Sequence, residues 1–183
     1  MSKKKKEEKL LKLDLGCGPH PKEGFEGVDS LDFKQRYVVD LREKWPWKDG
    51  SVDEGHASHF VEHLTGFERV HFVNELYRVL QKGGKCQIVV PHWASCRAYG
   101  DVTHQWPPVS EFWFYYLSKE WRKVNAPHDD IEFNPKGYDC DFEATWGYSL
   151  HQGILSRNQE YQQHALTYWK EAAQDIIATL TKK

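Results

Sequence analysis

The stretch LDLGCGPHPKEGFEGVDS, residues 13–30, decides how the rest of the chain reads. The run LLKLDL at 10–15 reads as a first strand and stops at two glycines, Gly16 and Gly18. A second short run starts at Glu26 and ends at Asp29, within GVDS. Strands that end this way suit a parallel sheet, in which ligands bind beyond the carboxyl ends of the strands. Gly16 and Gly18 allow positive φ and a close approach of backbone to ligand. Asp29 stands at the tip of the second strand, where its carboxylate can accept both hydroxyls of a ribose. Tyr37–Asp40 (YVVD) reads as a third strand that also ends in an acid. Asp14, Asp29 and Asp40 around one cleft disfavour a pyrophosphate and favour a neutral or cationic nucleoside. A dinucleotide fingerprint is not met, because Pro21 stands where its third glycine belongs. Asp29 follows Gly16 by 13 residues (29 − 16), too few for a full first helix whose amides would hold a pyrophosphate.

Outward from this stretch, Ser51–Ser58 reads as a fourth strand by context, since Asp53, Glu54 and Gly55 are poor strand formers. Val70, Phe72, Val73, Leu76, Tyr77 and Leu80 recur at spacings of three and four, which predicts a helix over 66–81. Lys82-Gly83-Gly84 stops it, and Lys85–Pro91 is a fifth strand. Strand, helix and strand at this spacing argue for parallel pairing with crossover connections. A helix from about Ser110 to Val124, capped by Ser110, is expected next. Phe142–Leu150 is a sixth strand, 158–173 is helical or irregular, and Asp175–Leu180 is a seventh. The 183 residues suit one domain over 10–183, with 92–135 as an elaborated insertion and the charged run 1–9 as a solvated tail.

Composition excludes several classes. With 25 basic and 27 acidic residues the chain has no charge excess for wrapping nucleic acid. No apolar run approaches the roughly 18 residues of a membrane span, and the lysine-rich start has no apolar core of a secretory signal. Cys17, Cys86, Cys96 and Cys140 form no C-x-x-C pair and read as free thiols of a reducing compartment, so a cytoplasmic location is expected.

LDLGCG, GVD, the Asp40 position, SHFVEHL at 58–64 and ELYRVLQKGG at 75–84 together resemble the class I methyltransferases that use S-adenosylmethionine. The resemblance covers roughly residues 10–92. It implies a Rossmann-like α/β fold with a mostly parallel seven-stranded sheet, flanking helices, an antiparallel last strand and an aromatic-rich lid after strand 5. It implies that Gly16, Cys17 and Gly18 lie under the methionine part of the donor and that Asp14 lines its methionine end. Asp29 and Ser30 would hold the ribose, Asp40 and Leu41 would face the adenine, and Ser58 and His59 would meet the donor methionine. The chain departs from the family where the usual first helix is reduced to GPHPKEGFE, a loop form that similar predicted methyltransferases also carry.

Methyl transfer to oxygen or nitrogen asks a protein for alignment, exclusion of water and, where needed, one base. The acceptor is expected among the loops of PHWASCRAYGDVTHQWPPVSEFWFYYL, 91–117, which resembles the P-H-x-S and D-P-T-H stretches of similar methyltransferases, with Val102 in place of the proline. Candidate catalytic residues there are His104, oriented by Asp101, and His92. Phe112, Tyr115 and Tyr116 share a helical stripe and read mainly as packing, with one or two aromatics free to stack on a flat or sugar-like acceptor. Arg97 reads as a surface residue or an anion contact, and His128-Asp129-Asp130 as an exposed loop. A small-molecule or sugar-like acceptor and a monomer or homodimer are expected. Two other readings are a non-catalytic nucleoside-binding module and a zinc hydrolase. The latter would use His59 and His63 of HFVEH as ligands, Glu62 as base and Glu75 or His71 as third ligand. No resident metal is expected, because HFVEH follows a strand end too closely to lie on a helix.

Overall fold

The structure, a computed structural model, describes residues 10–183; the charged run 1–9 lies outside the described residues. Seven strands make one sheet in the order β3-β2-β1-β4-β5-β7-β6. They are β1 Lys12–Leu15, β2 Glu26–Asp29, β3 Tyr37–Val38, β4 Val52–Ser58, β5 Leu80–Pro91, β6 Phe142–Leu150 and β7 Ala173–Lys182. The first five are mutually parallel and β7 runs antiparallel to both of its neighbours. This is the Rossmann-like arrangement expected from the sequence. β3 is shorter than the expected Tyr37–Asp40, and its last bond to β2 is the Val39 N–H donating to the Asp29 carbonyl. β4 forms despite its composition because β1 and β5 pair with it from both sides.

Cross-strand register fixes which residues share a face. Leu13, Gly55, Cys86 and Leu180 fall in one row, and its side chains are fully buried. Helix α1, Gly66–Val79, lies on this face with Phe72, Val73, Leu76 and Val79 turned inward. Gly55 is the point of closest approach, where an added Cβ would press on Cys86 Sγ and Leu76 Cδ1. Asp14, His56, Gln87 and Thr179 make the next row on the opposite, polar face.

α1 begins where Glu68 Oε2 accepts the Thr65 N–H at 2.8 Å, a capping box formed by Thr65 and Glu68. It ends two residues before the expected Gln81. Leu80 is extended (ψ 139°), pairs with Val52 and opens β5, so β5 begins five residues before the expected Lys85 and carries Gly83 at φ 75° within it. The expected helix over 110–124 is two helices, α3 Glu111–Tyr115 and α4 Lys119–Asn125; the short α2, Arg97–Gly100, precedes them. The break has a physical cause: the carbonyl of buried Leu117 accepts the N–H of Phe142 at 2.9 Å, which ties it to β6. Ser118 caps α4, whereas Ser110 makes no side-chain cap bond. Helices α5, Gln152–Leu155, and α6, Gln159–Tyr168, connect β6 to β7.

β1 and β2 are joined by ten residues, 16–25, with no helix. Asp14 Oδ2 accepts the Lys22 N–H at 2.8 Å, and Asp29 Oδ2 accepts the Gly18 N–H at 2.9 Å. Asp14 Oδ1 meets His56 Nδ1 at 2.6 Å, and the Phe25 ring lies over His56. The short connection therefore folds back on the polar face, anchored by one carboxylate from each strand.

The insertion after β5 is organised by a buried ion pair. Arg122 is fully buried; its Nε donates to Asp130 Oδ2 at 2.9 Å, and its Nη atoms donate to the carbonyls of Tyr116 and Cys140. Asp130 thus lies in the core and not in an exposed loop. Burial alone would raise its pKa, but the Glu132 amide and the Arg122 guanidinium hold it below the usual carboxylate value.

Two measurements check this packing. Leu76→Ala is expected to cost about 2–5 kcal/mol in urea unfolding, the range for a fully buried leucine. A group whose folded pKa is depressed stabilises above its unfolded pKa, near 4, and that contribution fades as pH falls. Asp130→Asn is therefore expected to lower stability at pH 7 and to flatten the acid limb of the stability profile. An acid limb unchanged from the parent would contradict the Asp130 assignment.

Candidate functional site

Beyond the carboxyl ends of β1, β2 and β4, two cavities meet at His63. The first, about 200 Å³, is lined by Asp29, Ser30, Asp40, Leu41 and Phe60 together with Val39, Arg42, His63 and Leu64. The second, about 340 Å³, is lined by His59, Glu62, His63, Pro91, Arg97, Gly100, Asp101 and His104. Gly100 also lines a larger groove of about 610 Å³ walled by Trp93, Tyr99, Tyr168 and Trp169.

The first cavity suits a nucleoside. Asp29 Oδ2 accepts from Gly18 and Oδ1 from the Leu31 N–H at 3.0 Å, so the carboxylate is fixed while each oxygen keeps acceptor capacity for a hydroxyl. Leu41, Phe60 and Leu64 give the cavity apolar walls that suit a flat base. Asp40 is held by Arg42, whose Nε and Nη2 grip both carboxylate oxygens, and this pairing lowers the Asp40 pKa. Gly16 (φ 72°) accepts no side chain, because a Cβ there would collide with the Phe60 ring. Gly18 has φ 55°. These features fit a bound adenosine with its sugar on Asp29.

The sequence-predicted donor residues divide. Asp29, Ser30, Asp40 and Leu41 share the first cavity, and His59 lines the second. Gly16, Cys17, Gly18 and Ser58 line neither cavity; the glycines form the adjoining turn and Ser58 ends β4. Asp14 lines neither cavity; its Oδ2 accepts the Lys22 N–H and its Oδ1 meets His56 Nδ1. Burial, with the charges of Asp14 and Asp29, pushes the Cys17 thiol up to about 11, so it is no nucleophile at neutral pH.

Of the candidate catalytic groups, His92 lines neither cavity. It is buried, its Nε2 meets Glu111 Oε1 at 2.9 Å and its Nδ1 accepts the Ala94 N–H. His104 lies in the second cavity with Nδ1 against the Ala98 carbonyl at 3.2 Å. A carbonyl only accepts, so Nδ1 carries the proton and Nε2 keeps a free lone pair. Asp101 Oδ2 is 4.0 Å from His104 Nε2, beyond hydrogen-bond range. Its firm partner is Thr103, whose Oγ1 donates to it at 2.7 Å and meets His63 Nδ1 at 2.9 Å.

HFVEH is a strand end followed by a short 3-10 turn, Val61–His63, so His59 and His63 do not share a helical face. The nominated third zinc ligands are engaged elsewhere: Glu75 with the Trp45 amide and Arg78, and His71 with the Glu43 carbonyl. His59 (φ 53°) meets Glu62 Oε1 at 3.2 Å and lies 3.9 Å from Asp175 Oδ1. The hydrogen bond to Glu62, with the charges of Glu62 and Asp175, outweighs burial and raises the His59 pKa. Arg97 pairs with Asp175 at 3.1 Å.

The places of Phe60 and His63 at the cavities, and of Arg69 beside them, emerge from the structure. Arg69 is buried, and its guanidinium donates to the carbonyls of Val61, Gln105 and Pro107, with Glu62 O at 3.4 Å. It joins the turn after β4 to the loop that carries His104. Its sequence signal was an arginine placed three and four residues before Phe72 and Val73, on the apolar stripe of α1.

Residues 20–88 match a family model described as a methyltransferase domain. A comparison with curated proteins gives no match. Among solved structures, an S-adenosylmethionine-dependent methyltransferase from Archaeoglobus fulgidus superposes with TM-score 0.66 and 20% identity, over 94% of this chain and 86% of that one. A Thermotoga maritima methyltransferase, described as a possible histamine N-methyltransferase, gives TM-score 0.53 and 15% identity over 94% and 82%. Geranyl diphosphate C-methyltransferase from Streptomyces coelicolor gives 0.50 and 15% over 95% and 71%. No described helix is long and apolar enough to cross a membrane.

Iodoacetamide at pH 8 is expected to leave Cys17 unmodified in the folded protein and to alkylate it in urea, as read by peptide mass spectrometry. Rapid labelling of Cys17 without denaturant would contradict its placement.

Proposed function

We propose that this chain is a class I S-adenosylmethionine-dependent methyltransferase that binds its donor across the Gly16–Gly18 turn and passes the methyl group to a small-molecule acceptor beside His63 and His104. The observation that carries this reading is the junction of the two cavities. One offers Asp29 and apolar walls to an adenosine; the other collects imidazoles next to it; His63 lines both.

In this reading Asp29 and Ser30 hold the ribose, Leu41 and Phe60 pack the adenine, and Asp40 stands at its edge. The donor supplies an activated sulfonium methyl when bound. The protein's part is alignment, so that the acceptor atom lies in line with the carbon–sulfur bond. His104 presents an Nε2 lone pair to the second cavity, placed to receive the acceptor's proton. His63 is oriented by Thr103, which is in turn fixed by Asp101, so Asp101 acts as a positioning residue. An acceptor larger than the second cavity continues past Gly100 into the aromatic groove of Trp93, Tyr99 and Trp169. The near balance of charge favours such an acceptor over nucleic acid.

Calorimetry with S-adenosylhomocysteine tests the donor site. Asp29→Ala is expected to weaken binding roughly tenfold or more, the loss of one or two hydrogen bonds to a charged group. Parent-like affinity in Asp29→Ala would remove the ribose assignment. A labelled-methyl screen over hydroxyl and amine acceptors tests the second cavity. His104→Ala is expected to lose turnover while still binding S-adenosylhomocysteine, and full turnover in that variant would remove His104 from the reaction.

A further inference from the structure

We propose that Glu62, His63 and His104 form a binding site for a divalent transition-metal ion, which holds a hydroxyl oxygen of the acceptor. One carboxylate oxygen of Glu62 and one ring nitrogen of each histidine lie within 4.8 Å of one another. An ion with bonds of about 2.1 Å holds tetrahedral ligand atoms roughly 3.4 Å apart, so side-chain rotations of about an ångström close the set.

Three observations lift this cluster above a chance grouping. The first is Glu62 itself: its side chain is 5% exposed, Oε1 is taken by His59, and Oε2 is buried with no hydrogen-bond partner. A buried carboxylate oxygen without a partner carries a desolvation cost that a cation would offset. The second is the tautomer of the two rings. His104 Nδ1 faces the Ala98 carbonyl, an acceptor only. Thr103 Oγ1 gives its one proton to Asp101, so it accepts from His63 Nδ1. Both rings are thereby left with Nε2 as the free, ligating nitrogen, each oriented by an outer partner as metal-bound histidines are. The third is the mounting. Arg69 and the Gln105 N–H, which donates to Glu62 O at 2.8 Å, hold the Glu62–His63 turn against the His104 loop.

Two imidazoles and one carboxylate suit zinc, cobalt, manganese or ferrous iron better than magnesium or calcium, which prefer all-oxygen shells. Three protein ligands leave positions open for an acceptor oxygen. The role in transfer rests on the donor placement proposed above; the ion binding does not. When an acceptor hydroxyl is held there, its O–H bond breaks and the proton leaves to solvent. The oxygen's electron pair forms a bond to the donor methyl carbon, and the carbon–sulfur pair returns to sulfur. The products are a methyl ether, S-adenosylhomocysteine and a proton. In the ion-loaded protein His104 is a ligand and not the base, which narrows the acceptor class to alcohols and phenols.

The test uses full-length protein stripped with a chelator and titrated with cobalt(II), followed by visible absorption and calorimetry. One ion per chain with d–d bands is expected for the parent. Glu62→Gln and His104→Ala are expected to raise the cobalt Kd by more than about tenfold, and Thr103→Val by about tenfold. S-adenosylhomocysteine binding is measured in parallel and is expected to persist in Glu62→Gln and His104→Ala, which separates failure of the ion site from failure of the donor site. X-ray absorption of the parent–cobalt complex reads two imidazoles directly, without any variant. No cobalt uptake by the parent, equal uptake by Glu62→Gln and His104→Ala, or a coordination shell without imidazole would overturn the proposal.

Discussion

Two carboxylates do the work of a missing helix. In a parallel sheet the return from one strand to the next ordinarily needs a dozen or more residues, and a helix supplies them. Here ten residues suffice, because Asp14 and Asp29 each accept a backbone N–H from the connecting loop. The bond from Gly18 to Asp29 has a second consequence. It fixes the orientation of the carboxylate that lines the first cavity, so one hydrogen bond serves both the strand connection and the cavity wall. The glycine at 18 serves that bond through its positive φ, and the glycine at 16 makes room for Phe60.

The second organising element is a pair of buried arginines that hold loops by their carbonyls. Arg122 has Asp130 as its counter-charge, which is the ordinary way to keep a guanidinium in a core. Arg69 spends its donors on carbonyl oxygens of two separate loops. Burial without a directly bonded carboxylate lowers its pKa. This arrangement ties the Glu62–His63 turn to the loop that carries His104.

Much of this was legible in the sequence. Glycine pairs, strand-ending acids and the periodic run over 66–81 pointed to a parallel sheet with a cavity beyond its strand ends, because backbone conformation and apolar spacing are local properties. Asp29, Ser30, Asp40 and Leu41 line one cavity, since they lie at or just beyond the ends of β2 and β3, which are neighbours in the sheet. What stayed hidden depended on contacts between distant segments. Nothing in the local letters says that Leu117 gives its carbonyl to Phe142 and so divides a helix in two. His92 looked like a cleft residue from its place after β5, yet Glu111 and the Ala94 amide consume its nitrogens. HFVEH spells a helical motif, whereas its last two residues lie beside His104, 41 positions later (104 − 63), because an arginine on the apolar stripe of α1 joins the two segments.

A crystal structure of the complex with S-adenosylhomocysteine would place the donor. The ribose hydroxyls are expected on the Asp29 carboxylate, the adenine between Leu41 and Phe60, and the sulfur directed past His63 toward His104. A nucleoside bound elsewhere, or an Asp29 carboxylate that keeps only its bonds to Gly18 and Leu31 in the complex, would contradict this placement.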